Sequence, residues 1–181
     1  MATLLETSDR DLIERVLTLY REEYGDAGLF ENHVYDGVAQ MLDHVRLITP
    51  ALFVATLKPK VYADRIVRHL GLDRYFAGVY GPELEGRFDD KIDLLAHLVA
   101  TEGISAERAV MIGDRAGDIV AARANRVRSV GVLWGYGSEA ELADASSQCG
   151  GAGARLFGEP VSRYAPGRCR VAIWSRTMGG S

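Results

Sequence analysis

The chain has 181 residues, of which 48% are apolar and 25% charged, a balance typical of a packed globular protein. Its formal net charge is −4, so bulk positive charge is not available to bind nucleic acid. No apolar stretch reaches the length of a membrane span, and no leader pattern is visible, which predicts a cytoplasmic protein without membrane contact. Cys149 and Cys169 lack C-x-x-C spacing and nearby histidines, so neither a zinc site nor a disulfide scaffold is expected.

Two amphipathic helices are predicted near the start of the chain. Ser8 is suited to cap the first, and Asp11 lies where the acid of a capping box is expected. Apolar residues then recur at helical spacing up to Gly25. A polar connection at residues 30–33 leads to the second helix. Its apolar positions are Val38, Met41, Leu42 and Val45.

From residue 51 onward, four apolar runs alternate with helical segments. The runs are 51–55, 76–80, 109–112 and 129–134, and a short helix is expected from Ser138 to Ala145. Short continuous apolar runs are typical of strands that are covered on both faces. Strands alternating with helices predict an α/β fold, a doubly wound parallel sheet.

Residues 150–181 differ in composition from the rest of the chain. They contain seven glycines and five arginines but a single acid. The one strong apolar run among them is Val171 to Trp174. A change this sharp predicts a tail or an appended segment.

Two acids follow the apolar run that ends at Gly113. Asp114 and Asp118 lie four residues apart, where a strand is expected to give way to a helix. Acids at the carboxyl edge of a parallel sheet can hold a hard cation, and oxygen ligands suit Mg2+. The spacing alone also fits a helix N-terminus whose acids complement the helix dipole.

Two further polar residues are expected at the same edge of the sheet. Thr56 follows the first strand, and Lys91 begins a helix. A hydroxyl, an ammonium group and a metal-holding acid pair are what a phosphate ester site requires. Each also has a structural interpretation: a turn cap for Thr56, a solvated helix lysine for Lys91 and an arginine partner for Asp118.

Three segments carry a resemblance to a known family. Val54–Pro59 around Thr56, Asp89–Leu95 around Lys91, and Gly113–Asp118 resemble the haloacid dehalogenase-like hydrolase superfamily. The phosphoglycolate phosphatase-like branch, which has a helical cap, is the most similar, and the likeness extends over residues 8–145. It implies a Mg2+-dependent phosphomonoester hydrolase that acts on a small phosphorylated metabolite; no oligomeric state is indicated.

The resemblance also implies roles and domains. Thr56 would bind the transferring phosphoryl group, Lys91 would neutralise its charge, and Asp114 would ligate Mg2+ with support from Asp118. Residues 1–34 would form a partial helical cap. Residues 35–149 would be the α/β core without its first strand, and residues 150–181 the Gly/Arg-rich tail.

One part of the family pattern is not found. The resemblance implies an aspartate nucleophile, with a second aspartate two residues later as acid and base, just after an N-terminal apolar strand. The only Asp-x-Asp here is Asp9–Asp11, which we interpret as a helix start. The chain is therefore expected to resemble a phosphatase but to be inactive; the alternative is a non-catalytic remnant or binding module that holds Mg2+, phosphate or a partner. A receiver-like phosphoacceptor domain would also need an aspartate after a central strand.

The absent strand would be central, between the strands that end at Thr56 and Gly113. Buried strands that lose a ladder partner are costly. The sequence leaves three outcomes: a gap, a strand from a partner chain, or a substitute strand from the tail. Arg170 to Trp174 is the tail segment apolar enough to substitute, but no aspartate follows it.

Overall fold

A computed structural model describes residues 9–13, 15, 16, 18, 19, 29, 31–49, 51–84, 86–147, 155–157, 171–174 and 178–180. Its strands and longer helices, in chain order, are β1 (Asn32–Val34), α1 (Val38–Ile48), β2 (Ala51–Ala55), α2 (Lys60–His69), β3 (Gly78–Tyr80), α3 (Lys91–Thr101), β4 (Ala109–Gly113), α4 (Ala116–Ala124), β5 (Arg128–Val132), α5 (Glu139–Ser147), β6 (Arg155–Phe157), β7 (Val171–Trp174) and β8 (Met178–Gly180). Residues 10–13, 15, 16, 18 and 19 are also helical.

The main sheet has six strands in the order β3-β2-β7-β4-β5-β6, and each adjacent pair is parallel. Helices cover both of its faces, since alternate residues of β2 and of β4 belong to two different apolar clusters. Leu52 and Val54 of β2 pack with residues of α1 and α2, whereas Phe53 and Ala55 pack with residues of α3 and α4. The predicted doubly wound parallel sheet is confirmed.

The central position of the sheet is filled by β7, a strand from the Gly/Arg-rich segment. Ile173 lies opposite Phe53 of β2 and Met111 of β4, so this strand joins the two halves of the sheet. Of the three outcomes left open by the sequence, the structure has the substitute strand. Arg170, which begins the predicted segment, lies outside the described residues. The ladders of β2 and β4 are completed because β7 pairs with both.

Two local predictions near the N-terminus need correction. The first helix is capped by Asp9, whose Oδ1 accepts the backbone N–H groups of Asp11 and Leu12 at 3.0 and 3.2 Å; Ser8, the predicted cap, lies outside the described residues. The predicted polar connection at residues 30–33 contains β1, which pairs with β8 in an antiparallel ladder. Because its partner strand β8 lies far along the chain, the polar residues of β1 give no local indication that they form a strand.

Two further observations bound the fold. The fourth predicted strand ends at Val132, and Trp134 belongs to the turn that follows it. No helix among the described residues is long and apolar enough to cross a bilayer. The division at residues 34 and 149 stays a prediction, although β7 shows that the last segment contributes to the same sheet as the core.

Candidate functional site

The four residues singled out from the sequence lie at the ends of neighbouring elements. Thr56 follows β2, Asp114 follows β4, Lys91 is the first residue of α3, and Asp118 is in the first turn of α4. Because β2 and β4 are parallel and flank β7, their carboxyl ends lie at one edge of the sheet. Open α/β sheets bind their ligands at this edge.

Lys91 and Asp118 form a buried ion pair. Nζ of Lys91 lies 3.1 Å from Oδ1 of Asp118, and the two side chains are 10% and 5% exposed. Nζ also donates to the carbonyl oxygen of Ala55 at 2.7 Å, directly before Thr56. Buried charges are tolerated when they are paired and hydrogen-bonded. The interpretation of Lys91 as a solvated lysine is therefore wrong.

Two side chains fix the start of the helix that carries Lys91. Asp90 caps α3 by accepting the N–H groups of Ile92 and Asp93 at 2.7 and 3.3 Å. Nδ2 of Asn125, at the end of α4, donates to the carbonyl oxygens of Ile92 and Ala121. Asn125 therefore links the start of α3 to the end of α4.

Asp118 is held against the turn that leads from β4 into α4. Its Oδ2 accepts the backbone N–H of Arg115 at 3.2 Å. Gly113 lies against the same carboxylate, and a Cβ atom at this position would collide with it. The glycine before Asp114 is therefore required by the close approach of the second acid, which explains the Gly-Asp-x-x-x-Asp spacing.

Asp114 is 1% exposed and is enclosed by the loop after β5. Its Oδ2 accepts the backbone N–H of Tyr136 at 2.8 Å. A Cβ atom at Gly135 would collide with the Asp114 carboxylate, and one at Gly137 with its carbonyl oxygen. The sequence interpretation missed this loop, although two glycines around a tyrosine directly after a strand are a signal of close backbone approach.

The other carboxylate oxygen of Asp114 has a different environment. Oδ1 is buried and has no hydrogen-bond partner among the described residues. An acceptor left in this state costs on the order of 1–3 kcal/mol, or more when it is charged. A cation would satisfy this oxygen, so the site fits a metal ion.

The number of carboxylates also bears on which metal fits. Within the described part of the chain, no group of three or more His, Cys, Asp and Glu side chains is placed to enclose an ion. Mg2+ is commonly held by one or two carboxylates together with waters and substrate phosphate. The carboxylates of Asp114 and Asp118 are oxygen ligands of the kind that Mg2+ accepts.

Thr56 makes two hydrogen bonds at the end of β2. Its Oγ1 accepts the N–H of Lys58 at 3.2 Å, and its own N–H donates to the carbonyl oxygen of Tyr80 at 3.0 Å. These bonds fix the turn between β2 and α2. They also place Thr56 next to Ala55, whose carbonyl oxygen binds Lys91.

A parallel sheet with a lysine and two acids at its carboxyl edge defines an α/β protein of the kind that binds its ligand at the strand ends. The sequence model of the haloacid dehalogenase-like hydrolases, a hydrolase family, matches residues 2–125. This chain belongs to that family.

Individual relatives agree with this assignment. The 5'-nucleotidase of Pseudomonas aeruginosa is 45% identical over 123 residues, and the phosphoglycolate phosphatase of Agrobacterium fabrum is 35% identical over 136 residues. The matches cover 68% and 74% of this chain, which spans 56% of the length of each relative. A predicted phosphatase from Clostridium acetobutylicum has the same fold, with a TM-score of 0.75 and 32% identity over 87% of this chain and 70% of that one.

Proposed function

We propose that the chain binds Mg2+ and a small phosphomonoester at the carboxyl edge of its sheet. In this proposal Asp114 and Asp118 hold the metal ion, while Lys91 and Thr56 bind the phosphoryl group. The observation that carries it is the buried Oδ1 of Asp114, which has no hydrogen-bond partner in the part of the chain that the structure describes. The ion pair of Lys91 with Asp118 adds a cationic group at the same edge.

The proposed chemistry follows from the groups present. Lys91 offsets negative charge, and the hydroxyl of Thr56 has a proton to donate to a phosphoryl oxygen. Tyr136 N–H and the glycines around Asp114 fix its carboxylate before a ligand arrives, which keeps the cost of ordering low. Bound Mg2+ would supply positive charge to the phosphoryl oxygens.

The substrate class is inferred from the relatives and from the charges of the site. A 5'-nucleotidase and a phosphoglycolate phosphatase both act on small phosphomonoesters, as their names state. A phosphomonoester is dianionic near neutral pH, and a lysine and a divalent cation offset part of that charge. We therefore take a small phosphorylated metabolite as the ligand.

Hydrolysis is a separate matter from binding. By the family resemblance, turnover requires an aspartate nucleophile just after the central strand. The central strand here is β7, and residues 171–181 include no aspartate or glutamate. We propose that the 181-residue polypeptide binds its ligands without turning them over; the alternative is phosphatase activity like that of the relatives.

Two measurements on the full chain test the proposal. Titration with MnCl2 or MgCl2 should show one metal site that is lost in Asp114→Asn, which keeps an acceptor for Tyr136, and retained in Asp93→Asn, an exposed acid on α3. Turnover of p-nitrophenyl phosphate with Mg2+ should stay at background. Absence of the metal site would overturn the proposal. Turnover that disappears in Asp114→Asn would establish the phosphatase alternative.

A further inference from the structure

Glu141, in the first turn of α5, contacts the start of another helix. Its Oε1 accepts the backbone N–H of Ala116 at 2.8 Å and the Nε–H of Arg115 at 2.8 Å. Arg115 and Ala116 directly follow Asp114 in the chain. The contact therefore joins α5 to the turn that carries the proposed metal ligand.

This contact supplies a hydrogen-bond acceptor for the first N–H groups of α4, which its N-cap residue cannot provide. The N-cap residue is Arg115, whose guanidinium group has only donors, whereas the first N–H groups of a helix need acceptors. Glu141 provides an acceptor for Ala116, and Asp118 provides one for the N–H of Arg115. A carboxylate at a helix N-terminus is also favoured by the helix dipole. One part of the cap of α4 thus comes from a different helix.

Glu141 is itself fixed in place. Its N–H donates to Oγ of Ser138 at 3.1 Å, and the Ser138 backbone hydrogen-bonds to its carboxylate in return, so the two residues form a capping box at the start of α5. The next residue, Leu142, is fully buried and packs with Ile119 of α4. Hydrogen bonds from the Ala116 N–H and then from Arg115 lower the pKa of Glu141 below its ordinary value.

The turn that begins at Asp114 is therefore held from two sides, by the loop after β5 and by α5, the helix that follows this loop. The loop after β5 donates Tyr136 N–H to the Asp114 carboxylate, and the helix that follows provides Glu141 for the next two residues. We infer that Glu141 is a positioning residue for the metal site, which acts through Arg115 and Ala116 on Asp114. The inference rests on the proposed function, because it takes Asp114 to be a metal ligand.

The test compares metal affinity in Glu141→Ala, Glu141→Gln and Glu139→Ala of the full chain. Glu139 is the matched control, since it is an exposed acid in the same helical turn. Mn2+ added alone and followed by electron paramagnetic resonance gives the affinity without any need for turnover. We expect Glu141→Ala to bind Mn2+ about 10-fold more weakly, at the lower end of the range for residues that orient metal ligands. Glu141→Gln, which keeps an acceptor for Ala116, should restore part of the affinity, and Glu139→Ala should match the unchanged chain.

Amide hydrogen exchange provides a second measurement that does not depend on a metal. The Ala116 amide should exchange faster in Glu141→Ala than in the unchanged chain, while circular dichroism establishes that the variant is folded. Equal Mn2+ affinity in a folded Glu141→Ala variant and in the unchanged chain would overturn this inference alone. Failure of the unchanged chain to bind Mn2+ would overturn the proposed function and this inference together.

Discussion

Nζ of Lys91 lies 3.1 Å from Oδ1 of Asp118, and this pair links the end of β2 to the first turn of α4. The lysine reaches the Ala55 carbonyl oxygen with the same ammonium group. Both side chains are buried, so each charge depends on the other for compensation. The pair therefore contributes to stability only while both members are present, which gives the first prediction.

Replacing either member of the pair should destabilise the fold. Replacing both should cost less free energy of unfolding than the two single losses added together. We expect Lys91→Met or Asp118→Asn to lower the free energy of unfolding by about 3–5 kcal/mol, because each removes one charge of a buried ion pair. The double variant should lose clearly less than the two single losses added together, as measured by urea unfolding. Lys60 and Asp64 are the control pair: they are 2.7 Å apart but 51% and 27% exposed, so the same cycle there should give less than about 1 kcal/mol. Additive losses at Lys91 and Asp118 would show that the pair is not coupled.

Gly137 tests the enclosure of Asp114. A Cβ atom at this position would meet the carbonyl oxygen of Asp114, so Gly137→Ala must move the loop after β5 or the acid itself. We expect a loss of about 1–3 kcal/mol in stability, as for other overpacked sites, together with weaker Mn2+ binding. Gly117→Ala is the matched control, since nothing lies within 4 Å of its Cβ position and it is inside α4; there alanine should be neutral or stabilising. Thermal unfolding and metal titration of both variants make the comparison, and equal results for the two would contradict it.

The Glu141 contact should make stability depend on pH in a defined direction. Hydrogen bonds from Ala116 and Arg115 lower the pKa of this carboxyl in the folded protein. A lowered pKa stabilises the fold above the ordinary value near 4.5, and this contribution disappears as the pH falls through the lowered value. The difference in unfolding free energy between the unchanged chain and Glu141→Gln should therefore be constant from pH 7 to about 5 and should narrow at lower pH. Glu139→Gln, which removes an exposed acid from the same helical turn, is the matched control for the loss of one carboxylate. A difference between the unchanged chain and Glu141→Gln that widens in acid would contradict the prediction.

The parts of the fold that depend on local sequence were predictable. Apolar runs of strand length alternate with helical segments, and this pattern predicts the doubly wound sheet that the structure has. The spacing of Asp114 and Asp118 likewise predicts their position after β4 and in the first turn of α4, because both belong to one short segment. Their roles, and those of Thr56 and Lys91, stay predictions.

The parts that depend on distant segments were left open or missed. The tail strand was one of three outcomes, and the contacts of the loop after β5 with Asp114 were not predicted. Gly135 and Gly137 are required by contacts with Asp114, and no pattern within their own loop names that partner. Glu141 fits an ordinary capping box with Ser138, which conceals its second contact to Ala116. In each case the contact is made with a residue of another element, so it is established only by the packing of these elements in the folded protein.

The placement of β7 is the most consequential of these distant relationships, and a single backbone donor tests it. Ile173 lies between Phe53 of β2 and Met111 of β4. Proline at this position removes the N–H group that a central strand donates to its neighbour, and proline is otherwise confined to sheet edges and bulges. The acceptor left unpaired in the buried sheet costs on the order of 1–3 kcal/mol, and the ring adds steric conflict.

We therefore expect Ile173→Pro to lower the free energy of unfolding by at least about 2 kcal/mol, whereas Ile173→Val, which keeps the backbone donor, should cost less. Amide exchange in β2 and β4 should accelerate in the proline variant because both strands lose their central partner. If Ile173→Pro unfolded like Ile173→Val and exchange in β2 and β4 did not change, another strand would have to fill the slot. Sedimentation equilibrium would then show whether it comes from a second copy of the chain.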